Sequence, residues 1–296
     1  PADPAPGQVG PDGVRRFDSD AEGDAYGENH LGHVFDGLPP QLQQALHWYT
    51  VQSMPNPFLR PGADLPGYLN RIENEHRAVW ELARMNGGYV PRTADLHRLW
   101  SNPDLSPQQR ALLQHILSFP NPEHRIAGLV QSSQQREFLA QYLGGPPTVD
   151  AFNQRIAELD QALNQPLPEP IQVERGLHDV SFMRLADGTP LGSRDPALLV
   201  GSTQTEPAYM STSLGRDPAT VDGDPFSYHM HIDLPPGSRG VWMGHDSAYP
   251  DQRELILPRG TRYEITSVEY RGVDERGRPV YDIRATAIPP GPPPGT

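Results

Sequence analysis

The sequence predicts an α+β protein in which a helical N-terminal lobe packs against a mainly antiparallel, two-sheet β-sandwich, with a ligand cleft between them. The 296 residues are enough for one large domain with a buried core. Apolar residues recur at helical spacing before about residue 170, and short alternating runs dominate after it. Turn sequences such as "VDGD" and "PPGSRG" separate these runs, which favours a strand core of roughly 100 residues.

Five segments carry the helical pattern. They are "LPPQLQQALHWYT" (38–50), "LPGYLNRIENEHRAVWELARM" (65–85), "SPQQRALLQHILSF" (106–119), "SSQQREFLAQYL" (132–143) and "TVDAFNQRIAELDQALNQ" (148–165). Ser106 is a predicted N-cap. In the last segment, the apolar stripe formed by Phe152, Ile156, Leu159 and Leu163 indicates core packing rather than a partner site.

Eight later segments read as strands. They are "IQVERGL" (171–177), "VSFMRL" (180–185), "AYMSTSL" (208–214), "YHMHIDL" (228–234), "GVWMG" (240–244), "RELILP" (253–258), "RYEITSVEYRG" (262–272) and "PVYDIRATAI" (279–288). The folded domain is predicted to span 17–290, with a helical insertion at 63–150. Residues 1–16 are expected to form a disordered leader or linker, and residues 291–296 a Pro-rich tail.

Composition excludes several functions. A net charge of −13 disfavours binding to nucleic acid or to an anionic membrane. The absence of cysteine rules out disulfides, thiolate metal sites and cysteine nucleophiles. No run of 18 apolar residues predicts a membrane span, and no Sec-type signal is visible. All 24 basic residues are arginine, which a GC-rich genome explains better than selection against lysine.

Two short polar stretches stand beside strand-like runs. Arg175 and Gly176 follow "IQVE"; an arginine at a strand end offers a planar fork to a diphosphate, and glycine lets a ligand approach the backbone. Ser211, Thr212 and Ser213 follow an aromatic residue, and alternation puts the two serines on one face of the strand and Thr212 on the other. Either stretch alone is ordinary in a surface strand.

A third stretch, "YPDQRELILPRG", supplies a carboxylate. Glu254 lies at the start of a buried-strand pattern, and Gln252 is expected on the same face. A rigidly held carboxylate stabilises positive charge that develops on a sugar during glycosidic cleavage. Tyr249 belongs to the preceding turn.

In this order and strand context, the three stretches resemble the Arg, Ser-Thr-Ser and Gln-x-Glu motifs of toxin-type mono-ADP-ribosyltransferases, which split NAD. The resemblance covers about 18–62 and 151–288. It implies that Arg175 holds the NAD phosphates, that the residue after it, Gly176, grips the nicotinamide amide, and that Ser211 orients the catalytic Glu254. The strand with Thr212 and Ser213 would back the nicotinamide ribose.

The resemblance extends to weaker marks. Asn56 and Arg60 in "NPFLR" match the end of the family's first-helix pattern and imply cofactor contacts. Arg216 and Phe226 occupy the place of the loop that covers the phosphates and the nicotinamide. Tyr249 and Gln252 would bind the acceptor. Residues 63–150 have no counterpart in the family.

The implied activity is transfer of ADP-ribose from NAD to a protein side chain, with nicotinamide released and an acceptor other than arginine favoured. An NAD glycohydrolase and an inactive module that keeps only the fold remain alternatives. The resemblance implies a toxin or effector from an actinobacterium, secreted or delivered into a target cell. We expect a monomer whose partners are a protein substrate and a cognate immunity protein.

No metal is expected. His229 and His231 share one strand face, but no carboxylate or third histidine is predicted in register with them, so structural histidines are the better interpretation.

Overall fold

The computed structural model describes residues 4–220 and 223–290 and confirms the α+β class. The predicted tail at 291–296 lies outside the described residues. The α-helices are α1 (Asp20–Tyr26), α2 (Gly32–Asp36), α3 (Pro40–Val51), α4 (Asn56–Leu59), α5 (Leu65–Met85), α6 (Thr93–Trp100), α7 (Pro107–Leu117), α8 (Pro122–Leu143) and α9 (Val149–Ala162). A π-helical turn, Gly27–Leu31, joins α1 to α2. No helix in the described part of the chain is long and apolar enough to cross a membrane.

The strands are β1 (Gln8–Val9), β2 (Arg15–Arg16), β3 (Ile171–Leu177), β4 (Thr203–Glu206), β5 (Met210–Ser213), β6 (Tyr228–Leu234), β7 (Val241–Trp242), β8 (Glu254–Leu257), β9 (Thr261–Val273) and β10 (Pro279–Ala287). Their order in the sheet is β4-β9-β10-β6-β3-β5-β8-β7, with β2 joining β3 and β1 joining β2. Most ladders are antiparallel, whereas β10–β6 and β2–β3 are parallel.

The described strands form one hydrogen-bonded path where the sequence predicts two sheets. A single residue pair, Glu174 with Ser213, joins β3 to β5 and so connects the two halves of the path. Both halves contribute to one apolar cluster, for example Val173 of β3 and Leu255 of β8. Side-chain alternation predicts which face is buried but not where a ladder continues, which explains the difference.

The chain divides into two compact units, which are described separately. The larger consists of residues up to Pro61 and from Ile156 onward, and it contains the whole sheet. Inside it, α3 and α9 contribute Leu46, Tyr49 and Leu159 to a second apolar cluster that includes Ile256 of β8. These helices therefore cover the face of β8 opposite to Leu255.

The smaller unit, Gly62–Arg155, has a core of its own. Helices α5 to α8 bury Leu82, Leu96, Leu113 and Ile126 in it. Helix α5 has the predicted bounds, and α7 begins after the predicted cap, where Ser106 and Gln109 form a capping box.

Two predictions about local structure were wrong. The segment 180–185 is not a strand: Val180 and Met183 are buried as anchors of a loop, which produces an alternating pattern without a ladder. The leader predicted at 1–16 contains β1 and β2, and Arg15 pairs in register with Ile171 of β3. The Pro and Gly content of this segment hid two strands of only two residues each.

We expect Gly27→Ala to lower the free energy of unfolding by about 1–3 kcal/mol, because a methyl group there overpacks the core. A Cβ at Gly27 would lie 2.2 Å from a ring carbon of Trp242, which is buried. Gly32→Ala is the matched control, since a Cβ at that position would have 3.8 Å to its nearest neighbour. Urea titration of both variants measures the difference. Equal midpoints would show that the Trp242 indole has room to shift.

Candidate active site

Glu254 is the centre of the candidate site. It is the first residue of β8, pairs in register with Ser213 of β5, and is only 5% exposed. Its Oε1 atom has no hydrogen-bond partner among the described residues. Burial raises the pKa of the Glu254 carboxyl to about 7, and a hydrogen bond with the Ser211 hydroxyl opposes the increase. The loss of hydration of an ionised carboxylate in this position is not compensated by a nearby cation in the described part of the chain. A ligand that brings a hydrogen-bond donor or a positive charge would therefore stabilise it.

The Ser211 hydroxyl is fixed from the helical side of the site. Tyr49 of α3 places its hydroxyl 3.1 Å from Ser211 Oγ. Asn56 donates from Nδ2 to Tyr49 Oη at 3.2 Å and accepts from the Tyr209 amide at 3.2 Å. The predicted cofactor residue Asn56 therefore joins α4 to the start of β5, and Tyr49 joins α3 to Ser211.

Arg175 reaches the same strand from β3. Its Nη1 donates to the Ser211 carbonyl at 3.0 Å, which leaves further guanidinium donors for a ligand. The backbone of Gly176 lies against the ring of Phe226: a Cβ there would be 2.0 Å from Phe226 Cδ2, so only glycine fits. The structure thus brings the adjacent residues Arg175 and Gly176 together with Ser211 and Phe226, which lie 35 or more residues later in the sequence.

Thr212 does not join this group. Its hydroxyl donates to the Leu255 carbonyl at 2.7 Å inside the core, on the face of the strand away from Ser211. The cofactor contact predicted for Thr212 therefore has no side-chain basis. Ser213 is buried, and its Oγ accepts from the Ala219 amide at 3.2 Å, so this side chain orders the loop that follows β5.

The remaining predicted residues lie around these. Arg60 pairs with Glu206 of β4 at 2.9 Å, and Arg216 is exposed in the loop after β5. Gln252 ends a 3-10 turn (Pro250–Gln252), and Arg253 has left-handed backbone angles, so Gln252 does not share a strand face with Glu254 as the alternation predicted. Tyr249 precedes this turn and is 51% exposed.

Sequence reasoning missed three features. The helical pattern of 38–50 does not indicate that Tyr49 contacts a hydroxyl of the site, and the Gln-x-Glu motif assigns no role to Arg253. On the opposite face of β3 from Arg175, Glu174 pairs with His231, which also faces Asp282 at 3.3 Å. The prediction that no carboxylate lies in register with His231 was wrong, because cross-strand partners depend on the register between distant segments.

Asp24, Glu28 and His245 place one ligand atom each within 4.8 Å of one another. Glu28 already accepts hydrogen bonds from the Trp242 indole at 3.1 Å and from the His245 amide at 3.3 Å. These bonds account for the cluster as a packing feature between the π-helical turn and the segment after β7.

Taken together, the site offers a carboxylate with a free oxygen, a hydroxyl beside it, a guanidinium and an aromatic ring over a glycine. The carboxylate suits a substrate part that becomes positively charged, and the guanidinium suits a phosphate. A molecule that carries both a sugar cation centre and phosphates would use the whole arrangement.

Comparison with known proteins assigns the family. Residues 129–286, more than half of the chain, match the family described as ADP-ribosyltransferase exoenzyme, and the chain belongs to this family. A comparison with curated proteins gives no match.

Solved structures of similar fold were also found. One is Plx2a, an ADP-ribosyltransferase toxin from Paenibacillus larvae, with 14% identity over 92% of this chain and 98% of that chain and a TM-score of 0.46. Another is C3stau2 from S. aureus with NAD, with 17% identity, 94% and 100% coverage and a TM-score of 0.48. A third is the C3 exoenzyme of Clostridium limosum, with 17% identity, 93% and 97% coverage and a TM-score of 0.42.

We expect Glu254→Gln to raise the free energy of unfolding at pH 8 by up to about 3 kcal/mol and to change it little at pH 5. The pKa of Glu254 in the folded protein, about 7, lies above its ordinary value of 4.5. Between these values the folded protein keeps a proton that the unfolded chain has released, so the carboxyl destabilises the fold increasingly as pH rises through this window. The amide removes that penalty.

Urea titrations at pH 5, 6.5 and 8 measure the effect. Glu264→Gln, which removes an exposed carboxyl from the same sheet, controls for the change in net charge. A Glu254→Gln protein that is less stable than the wild type at pH 8 would mean that the fold stabilises the ionised carboxylate.

Proposed function

We propose that the protein is a mono-ADP-ribosyltransferase that moves ADP-ribose from NAD to a protein side chain and releases nicotinamide. Membership of the ADP-ribosyltransferase exoenzyme family supports the reaction class. The single observation that carries the proposal is the buried Glu254 beside Ser211, in which the Oε1 atom of Glu254 has no partner among residues 4–220 and 223–290. Cleavage of a nicotinamide–ribose bond requires such a carboxylate, because positive charge develops on the ribose.

In the proposed reaction, the bond between ribose C1′ and the nicotinamide nitrogen breaks, and its electron pair leaves with nicotinamide, which becomes neutral. The positive charge moves to the ribose as an oxocarbenium-like centre. The Glu254 carboxylate stabilises that charge and accepts a hydrogen bond from the ribose 2′-hydroxyl. The acceptor atom then forms a bond to C1′ with its lone pair, and its proton is released to water.

Three further residues bind NAD in this proposal. Arg175 uses the guanidinium donors not committed to the Ser211 carbonyl to hold the diphosphate. Gly176 presents its backbone to the nicotinamide amide, and Phe226 packs beside it.

The decisive experiment uses NAD labelled in the adenylate portion, incubated with the protein and a cell lysate. Label on a protein band supports the transferase. Label only in free ADP-ribose identifies a glycohydrolase that uses water as acceptor, and neither product identifies an inactive member of the fold. The proposed setting is a toxin or effector delivered into a target cell, where the substrate is a protein.

We expect Glu254→Gln to lower the rate of nicotinamide release about 100- to 1000-fold, the usual cost of removing one preorganised electrostatic contact. The affinity for NAD should change little, because the amide keeps the shape of the side chain. Nicotinamide release and NAD titration calorimetry give the two values. Near-normal turnover in this variant would move the catalytic carboxylate elsewhere.

The acceptor is proposed to be an asparagine or glutamine side chain rather than arginine. Gln252 offers a neutral amide, which complements another amide, whereas a second carboxylate would pair with a guanidinium and help to remove its proton. Tyr249, half-exposed before the same turn, presents its ring to the acceptor. A net charge of −13 disfavours a nucleic acid in this role.

Mass spectrometry of the modified target tests this acceptor class. We expect ADP-ribose on Asn or Gln, and we expect Gln252→Glu to gain activity toward small guanidino compounds. ADP-ribose on arginine of the wild-type target, or faster labelling of DNA than of any protein, would contradict the assignment.

A further inference from the structure

Arg253, between Gln252 and Glu254, has an unusual conformation. Its backbone angles, φ 50° and ψ 48°, are left-handed, and it is the one non-glycine residue with positive φ in the described parts of the chain. Its side chain is buried, with only 8% of the residue exposed. Arginine adopts this conformation at a cost, so the surroundings must hold it there.

The Arg253 guanidinium binds both ends of the segment 214–217. Nη1 donates to the Leu214 carbonyl at 2.6 Å, and Nη2 donates to the Asp217 carbonyl at 3.0 Å. The main chain adds a bond in the other direction, from the Leu214 amide to the Arg253 carbonyl at 3.0 Å. The Arg253 side chain therefore holds the first and last residues of the segment together.

Asp20, the first residue of α1, completes the arrangement. Its Oδ1 atom accepts from Arg253 Nη1 at 2.9 Å, from the Arg216 amide at 3.0 Å and from the Asp217 amide at 3.2 Å. Gly215, which precedes Arg216 in the segment, has φ 144°, and a Cβ there would lie 2.1 Å from Arg253 Nη1. The segment thus fits closely around the ion pair, and a side chain at 215 would separate its parts.

The segment 214–217 is connected to Glu254 in two ways. It follows Ser213, which pairs with Glu254 across β5 and β8, and Arg253 directly precedes Glu254. Arg216 belongs to this segment and is exposed. Arg216 is thus a guanidinium in the chain segment that leaves β5 directly after Ser213, and a guanidinium suits a phosphate.

We propose that Arg253 and Asp20 form a clamp that holds the segment 214–217 and its Arg216 in place for the diphosphate of NAD. The proposal rests on the proposed function for the identity of the ligand, but the clamp itself is a property of the free protein. Arg253 acts here as a positioning residue: it touches the segment and not the reacting atoms. It should therefore govern NAD binding more than bond cleavage.

The variants separate the side chain from the backbone. Arg253→Gly removes the guanidinium and keeps a residue that tolerates left-handed angles, so the turn before Glu254 is retained. Arg253→Lys keeps a charge but not the planar fork. Asp20→Asn is milder, because its amide oxygen still accepts hydrogen bonds. Arg194→Gly is the control: Arg194 also donates to a main-chain carbonyl, that of Leu191 at 3.1 Å, in an exposed loop elsewhere.

Hydrogen–deuterium exchange without NAD tests the clamp. Amides of 214–219 should exchange about tenfold or more faster in Arg253→Gly, as expected from loss of charge-assisted hydrogen bonds, and less so in Asp20→Asn. Arg194→Gly should match the wild type in this segment. Exchange that is unchanged in both Arg253→Gly and Asp20→Asn would overturn the clamp.

Steady-state nicotinamide release tests the link to NAD. We expect the KM for NAD to rise about tenfold or more in Arg253→Gly with kcat changed much less, and Arg253→Lys to recover part of the loss. The assignment to the diphosphate would be overturned if exchange became faster while KM stayed unchanged. It would also be overturned if kcat fell about tenfold and KM did not rise. A wild-type protein that does not cleave NAD would refute the proposed function, while the exchange result would still decide whether the clamp exists.

Discussion

The site depends on one electrostatic constraint: the fold buries the Glu254 carboxyl and leaves one of its oxygens without a partner in the part of the chain that the structure describes. Burial raises its pKa to about 7, so the folded protein carries the cost of desolvating this group near neutral pH. A structural carboxylate would normally be paired. Among the described residues, this carboxyl has the Ser211 hydroxyl as its hydrogen-bond partner and no cation beside it. In the proposed reaction, the cationic sugar supplies the missing positive charge.

The pairing of β5 with β8 gives that carboxyl its neighbours. Register puts Ser213 opposite Glu254, while alternation sends Leu255 into the sheet core and Ile256 toward α3 and α9. Tyr49 then fixes Ser211 from α3. The strands β5 and β8 and the helix α3 therefore all contribute to the site, which no single motif forms alone.

The sequence predicts those parts of the fold that depend on local patterns. Helix α5 has the bounds that its amphipathic period and flanking residues predict, and β3 and β6 match their alternating runs. Motif order predicts that Arg175, Ser211 and Glu254 belong to one site. The carboxylate partners of His231 and the left-handed Arg253 were not predictable in this way, because they depend on strand register and on contacts between segments over 200 residues apart.

The pH dependence of kcat/KM for nicotinamide release tests the central claim most directly, because this ratio reports the ionisation of the free enzyme. If the ionised Glu254 is required, kcat/KM should rise with pH and reach a plateau with an apparent pKa near 7, the value that burial gives this carboxyl. Glu174→Gln should keep that inflection, because the other buried carboxyl with a pKa raised to about 7 contacts His231 instead. A kcat/KM that stays constant between pH 5.5 and 8.5 would contradict the account.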